Sequence, residues 1–262
     1  MGDLDNKTII VAGVGPGLGR ETALASFRQG ANVVIAARTA ETLDKIAQEI
    51  DATGQRVAKV VADITDEADC HSILQSAVDR FGAVDGIVNV AVRSSDQGGL
   101  RSAGDFSAWR STFEVNVFGT MRLIQFALDE LKKSKGSVVM VNAQTYHAPP
   151  PAHIQIAYAS SKSALTGAMR HLAAEVGPDG IRVNEVTPGW MLGPPVENYV
   201  ENAARQRGVD AATVLAELTA RMPLRRMASD GDVAEAIAFL LSDRAGGITG
   251  QTLMVNAGEV MH

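Results

Sequence analysis

Short apolar runs alternate with longer amphipathic stretches along most of the chain. Residues 8–12 (Thr-Ile-Ile-Val-Ala) form an apolar run ended by glycine, the pattern of a strand buried on both faces. Comparable runs at 32–37, 57–62, 84–88, 137–142, 181–186 and 253–255 predict six more strands. Between them, helical patterns run from after Arg20 to Gln29-Gly30 and over 41–53, 66–80, 109–133, 156–176 and 230–241. Gly54 stands as a stop signal for the second of these and Ser229 as the N-cap of the last. Strands that alternate with helices predict an α/β fold, a doubly wound parallel sheet of about seven strands with helices on both faces. No linker, repeat or low-complexity run divides the chain, so 1–262 is expected to be a single domain. The rhythm breaks at about 190–228, a stretch rich in Pro, Met and Leu, where a substrate lid is expected.

The glycines and polar residues of this pattern collect at strand ends. Gly13, Gly15, Gly17 and Gly19 stand at alternate positions between the first strand and first helix. Glycine lets backbone approach a pyrophosphate, and a helix start offers free N–H groups and the positive dipole end. The second strand ends Ala37-Arg38-Thr39. In dinucleotide folds an acid at this place selects NAD, and an arginine accommodates the NADP phosphate. With Arg38 19 residues beyond Gly19 and no carboxylate beside it, NADP(H) is the expected cofactor and NAD(H) the second choice. Asp63 and Asn89 follow the third and fourth strands, on the edge where such sheets bind ligands.

Tyr158 and Lys162 are one helical turn apart and share a face. A neighbouring ammonium stabilises a phenolate, so the pair is expected to lower the tyrosine's pKa toward neutrality and make it a working acid or base. Asn116 falls mid-helix, where asparagine is not favoured by propensity, and is expected to be a hydrogen-bonding post.

Composition narrows the class. Asp and Glu outnumber Lys and Arg by 30 to 24, which argues against a nucleic-acid partner. With one cysteine, Cys70, there is no intrachain disulfide, and a reducing compartment fits. The N-terminus lacks signal-peptide features and no apolar run reaches the length of a membrane span. A cytoplasmic protein with no membrane partner is expected. No His/Cys cluster suggests a metal.

Taken in order, these motifs resemble the short-chain dehydrogenase/reductase family over essentially the whole chain. Gly13-x-x-x-Gly17-x-Gly19 resembles its glycine motif, and Asp63 matches the aspartate near the adenine. Asn89-Val90-Ala91 matches the Asn-Ala-Gly motif imperfectly, Pro188-Gly189 matches the motif beside the nicotinamide, and Ile248-Thr249-Gly250-Gln251 resembles the lead into the last strand. Asn116, Tyr158 and Lys162 match three of the four catalytic residues; the family's serine, 13 residues before the tyrosine, is here Thr145, which keeps the hydroxyl.

The resemblance implies a Rossmann-like fold and reversible hydride transfer between NADP(H) and a ketone or secondary alcohol. It gives Tyr158 the proton, Lys162 the tuning of Tyr158 and a bond to the nicotinamide ribose, Thr145 the substrate oxygen, and Asn116 a water leading from Lys162 to solvent. The cofactor contacts it implies are Gly13, Gly15, Gly17, Leu18, Gly19, Arg38, Thr39, Asp63, Ile64, Asn89, Ala91, Tyr158, Lys162, Pro188, Gly189, Trp190 and Met191. Val14 and Pro16 in the glycine loop, and Gly193 where a threonine is common, leave fewer side chains to bond the cofactor. Pro188, Trp190, Pro194, Pro195 and Tyr199 make the lid stiff and apolar, favouring a hydrophobic or cyclic substrate. His147 and His153 flank the site and are read as surface residues. The alternatives are a non-catalytic NADP(H)-sensing protein of the same fold and a 3-oxoacyl-thioester reductase. Enoyl reductases of this fold carry lysine seven positions after the tyrosine, where this chain has Leu165. A homotetramer is expected through the helices at 109–133 and 156–176, with Ala157, Ala164, Gly167 and Ala168 allowing close approach.

Overall fold

The computed structural model describes residues 2–94, 98–149 and 154–261. Strands β1 (Thr8–Ala12), β2 (Asn32–Ala37), β3 (Val57–Val61), β4 (Gly86–Asn89), β5 (Ser137–Val141) and β6 (Arg182–Pro188) form the main sheet with the last strand, Thr252–Val255. All pairings are parallel, and the last strand lies beyond β6, so the order is β3-β2-β1-β4-β5-β6 and then the last strand. The order reverses between β1 and β4, the place where doubly wound sheets open a crevice at the strand C-termini.

Alternation along the strands sends side chains to two separate cores. Ile9, Val11, Val33 and Ile35 face α1 (Leu18–Arg28) and α2 (Ala40–Ile50). Ile10, Ala12, Val34 and Ala36 face α3 (Glu67–Phe81) on the other side. β1 and β2 have no polar gap from Ile9 to Ala12 or from Val33 to Ala37 because both faces are covered, whereas β3 at the sheet edge exposes Lys59. α2 stops at Ile50, short of the predicted 53, because the Asp51 carboxylate takes the N–H groups of Thr53 and Arg56 and turns the chain. α3 starts one residue later than predicted, with Asp66 as its N-cap.

The helix predicted over 109–133 is α4 (Ser107–Phe113) and α5 (Thr120–Ser134), joined by a π-helical turn at Glu114–Gly119. A π turn marks a place where tertiary contacts outweigh the regular ladder. Here Gly119 abuts β3's exit, where a Cβ would come 2.9 Å from Ile64. α6 (Ile156–Val176) lies beside β6.

The break in rhythm after β6 contains two helices that the sequence pattern did not disclose. They are α7 (Pro194–Arg207) and α8 (Ala211–Thr219), packed on each other around Val200, Ala204 and Val214. This excursion is closed at its base by two short parallel strands, β7 (Met191–Leu192) and β8 (Ala228–Ser229). α9 (Asp230–Leu241) follows with the expected Ser229 cap, completed by Asp232 as a capping box, and the last strand is β9 (Thr252–Val255). No described helix is long and apolar enough to cross a membrane.

Candidate active site

Three adjoining clefts run along the strand C-termini. The first, of about 470 Å³, lies beyond β1–β4 and is lined by Gly13, Gly15, Arg38, Thr39, Asp63, Ile64 and Ala91 among others. The middle one, about 290 Å³, is lined by Gly13, Gly15, Gly17, Leu18, Gly19, Tyr158, Lys162, Pro188, Gly189 and Met191. The third, about 380 Å³, opens under the excursion and holds Thr145, Tyr158, Trp190 and Met191. Residues separated by most of the chain therefore share one groove, as the motif order predicts.

The glycine turn is shaped by close approach. Gly13 has φ +89°, and a Cβ there would stand 2.1 Å from the Ala91 nitrogen; one on Gly19 would meet the Gly13 oxygen at 2.7 Å. Gly15 has open space where a side chain would be. The N-cap of α1, Gly17, offers no side-chain cap; the Arg20 N–H donates to the Gly15 carbonyl, and Gly17, Leu18 and Gly19 line the groove. This cradle, with Arg38 and Asp63 at one end, suits the pyrophosphate and ribose of a dinucleotide. Arg38 is mostly exposed and lies 3.9 Å from Asp63, whose carboxylate also accepts from the backbone and hydroxyl of Thr65. These hydrogen bonds and Arg38 hold the Asp63 carboxyl below its usual range, against the opposing effect of burial, the largest single influence.

The side chains of Asn89 and Asn116 are hydrogen-bonded into the wall behind the groove. The Asn89 amide donates to the Thr120 hydroxyl at 2.6 Å, and that hydroxyl donates to the Asn116 carbonyl. The Asn116 side chain is fully buried; it accepts from the Arg93 N–H and donates to the Arg93 carbonyl and the Ser161 hydroxyl. Both asparagines thus clamp the π turn and the loop after β4.

The Tyr158–Lys162 pair differs from expectation. Lys162 is buried, its Nζ donates to the Val141 carbonyl at 2.7 Å, and it sits 5.7 Å from the centre of the Tyr158 ring. Burial raises the phenol well above its ordinary value instead of the ammonium lowering it. The same burial pushes the Lys162 ammonium down to about 8, opposed by the negative charge of Glu185. Although Tyr158 retains some surface in the groove, its surroundings are dense enough for desolvation to win.

Thr145 lies on a short 3₁₀ turn after β5, and its hydroxyl is buried with no hydrogen-bond partner among the described residues. A buried hydroxyl costs free energy unless something bonds it, so this one suits a ligand oxygen. The third cleft contains residues that the sequence did not single out: Gln144, Gln155, Val196 and Asp230. Gln144 donates to Glu259, which also pairs with Arg221 at the end of the excursion. Asp230 starts α9, yet its carboxylate reaches α1, where a Cβ on Gly17 would be 3.2 Å from its oxygen. Burial, with the charge of Glu21 adding to it, raises the Asp230 carboxyl above its usual range. His147 is exposed and stacks on Tyr146 outside the clefts, and His153 lies outside the described residues. Among the described residues no His, Cys, Asp or Glu cluster could hold a metal ion.

Comparison with known proteins agrees with this geometry. A family model described as enoyl-(acyl carrier protein) reductase matches residues 13–259. The 7alpha-hydroxysteroid dehydrogenase of Escherichia coli (strain K12) is 30% identical over 258 residues, 98% of this chain and 95% of that protein. Among solved structures, a short-chain dehydrogenase/reductase (SDR:Glucose/ribitol dehydrogenase) from Brucella melitensis superposes with TM-score 0.85 at 27% identity, covering 100% of this chain and 99% of that one. A single-residue variant of actinorhodin polyketide ketoreductase, solved with NADPH, gives TM-score 0.87 at 27% identity, covering 99% of each chain.

Proposed function

Since the chain belongs to the short-chain dehydrogenase/reductase family and is a nicotinamide-dependent oxidoreductase of CH–OH and carbonyl groups, we propose that it uses NADP(H) to interconvert a hydrophobic or cyclic ketone and its secondary alcohol. The observation that carries this reading is the Thr145 hydroxyl, unpartnered among the described residues and sharing one cleft with Tyr158 beneath apolar Trp190, Met191 and Val196. A steroid and a polyketide, the substrates named for two similar proteins, are both of this kind. Following NADPH absorbance across steroid, alicyclic and acyl-thioester ketones tests it; turnover confined to acyl thioesters would replace the proposed substrate class.

The cofactor supplies the hydride. The glycine turn and the start of α1 would hold its pyrophosphate, and Pro188 and Gly189, which line the same cleft, would hold its nicotinamide end. Thr145 hydrogen-bonds the substrate oxygen, and Tyr158 gives that oxygen its phenolic proton during reduction. Lys162, held by Val141, keeps a positive charge near the phenolate that remains. The Asn89–Thr120–Asn116 chain fixes the wall against which these groups are set. The excursion over 190–228 shields the reacting carbonyl from water.

Arg38 is the proposed reader of the 2′-phosphate, through a charge-assisted contact. Ala37→Asp with Arg38→Leu should move the preference from NADPH to NADH, measured as the ratio of kcat/KM for the two. Equal efficiency of the wild type with both cofactors would contradict this role.

Asp230 brings negative charge to the phosphate cradle. Asp230→Asn should therefore tighten NADPH binding by roughly 5-fold at pH 8, about 1 kcal/mol near a helix N-terminus. Because the carboxyl titrates above its usual range, the gain should shrink as pH falls and the wild-type group takes up its proton. Fluorescence titrations at two pH values measure both effects.

A homotetramer in the cytoplasm is the proposed assembly and setting. Ala157 is buried in its own chain and cannot meet a copy, whereas Gly167 is exposed on α6 with Ala164 and Ala168 partly exposed beside it. Light scattering at micromolar concentration should give four times the chain mass.

A further inference from the structure

A carboxylate outside the expected constellation lies under the site. Glu185 sits in the middle of β6, completely buried, on the face of the sheet that α6 covers. Four neutral donors converge on it. The Asn142 amide donates at 2.7 Å, the Thr252 hydroxyl at 2.6 Å, the Thr166 hydroxyl at 3.0 Å and the Tyr146 hydroxyl at 3.1 Å. The same Asn142 amide donates to the Lys162 carbonyl, and Lys162 Nζ donates to Val141, the residue before Asn142. Glu185 and the Lys162 ammonium are thus tied to adjacent residues at the end of β5.

A buried carboxylate costs several kcal/mol unless hydrogen bonds or an opposite charge offset the loss of water. Glu185 has the hydrogen bonds, and Lys162 is the buried cation beside it. We propose, on the functional reading above, that Glu185 is the counter-charge of Lys162, a positioning residue that keeps the ammonium protonated beneath Tyr158. Its effect on both neighbours has the sign this requires, raising Lys162 against burial and raising the Tyr146 phenol together with burial.

The titratable groups near the carboxylate are few. α6 brings Lys162 and Tyr158, and the turn after β5 brings Tyr146 with His147 stacked on it. Glu259 approaches through Gln144. β5 and β9 contribute Asn142 and Thr252, which do not titrate near neutrality. α9 covers the other face of the sheet and directs its acids elsewhere, Asp232 to Arg226, Glu235 to Gln29 and Asp230 to α1. Lys162 is therefore the cation whose protonation Glu185 controls.

The test is the titration of Lys162 itself, by NMR of protein labelled with ¹³C at the lysine ε-carbon, the resonance being assigned by its loss in Lys162→Arg. The wild type should titrate near 8. Glu185→Gln keeps the shape, and hydroxyl donors can turn to accept from its amide. It should lower the midpoint by about one pH unit or more, which amounts to about tenfold less ammonium on the alkaline side. Glu185→Asp keeps the charge and should hold the midpoint within about half a unit of the wild type. In activity, the alkaline limb of the reduction profile should move down in Glu185→Gln with the Lys162 midpoint. An unchanged midpoint in folded Glu185→Gln overturns the proposal and leaves Glu185 as a purely structural knot. Should Glu185→Gln fail to fold, a wild-type midpoint near 8 supports the proposal and one below about 7 overturns it, since burial would then have defeated the counter-charge. Because the titration needs neither substrate nor turnover, its outcome is independent of whether the proposed ketone reduction is correct.

Discussion

Tyr158→Phe should lower turnover by about 10²–10⁴-fold, the usual contribution of a positioned general acid, while NADPH affinity and the melting temperature stay near those of the wild type. The ring stays, so the cleft wall that it forms is retained. What leaves is the proton. Burial holds the phenol above its ordinary value, so at neutral pH it is protonated and ready to donate to a carbonyl oxygen. The ammonium at Lys162, lowered to about 8, has the opposite limit and loses its charge as pH rises past that value. Reduction should therefore be flat through neutrality and fall above about pH 8, as the charge supporting the phenolate product disappears. Single-turnover rates from pH 6 to 10 in the wild type, beside Tyr158→Phe at neutral pH, check both statements. Undiminished turnover in Tyr158→Phe would remove Tyr158 from the proton path.

Thr145→Val separates chemistry from stability. The two side chains have nearly the same shape, but valine cannot hydrogen-bond a developing oxyanion. The loss of one preorganised donor should reduce kcat by roughly 10²-fold or more. Thr145→Ser should keep most of the activity, because the hydroxyl remains. Stability should move the other way in Thr145→Val. The threonine hydroxyl is buried without a partner among the described residues, so its removal lifts a desolvation cost of about 1–3 kcal/mol. Each kcal/mol corresponds to a rise of about 2–4 °C in Tm for a domain of this size. A kcat that falls while Tm rises marks a group kept for a ligand. Near-wild-type kcat in Thr145→Val, with Tyr158→Phe inactive in the same assay, would mean that Thr145 serves packing alone.

The fold was legible because two-sided burial leaves an unmistakable mark. Strands such as Ile9-Ile10-Val11 have no polar position, and the glycines that bound them must be glycine on steric grounds. The groove was legible for a related reason, since ligand edges of such sheets coincide with strand ends, and strand ends can be counted. What could not be counted is the direction in which a side chain points once the ladder is disturbed. Asn89 ends β4 and Asn116 falls mid-helix, yet the π turn at Glu114–Gly119 sets Asn116 against Arg93 and Ser161, and Thr120 just after it accepts from Asn89. At the end of that turn Gly119 lies so close to Ile64, far away in sequence, that a Cβ there would not fit. Gln144 and Asp230 escaped notice similarly, because their partners, Glu259 and the start of α1, come from opposite ends of the chain. Glu185 did leave a signal, a carboxylate inside an otherwise buried strand, where an unpaired charge is too costly to be incidental. The sign of the Tyr158 shift was beyond sequence reasoning, since it depends on burial competing with the nearby charge.

The central claim is that this site moves a hydride between a nicotinamide and a carbonyl carbon. Incubating the wild type with NADPH carrying deuterium at the reactive position of C4, in the presence of the ketone panel, tests it directly by mass spectrometry of the product. The account predicts an alcohol with one deuterium on the carbinol carbon, formed from a hydrophobic or cyclic ketone. Tight NADPH binding with no labelled alcohol from any ketone would contradict it and leave a protein that senses the cofactor without using it.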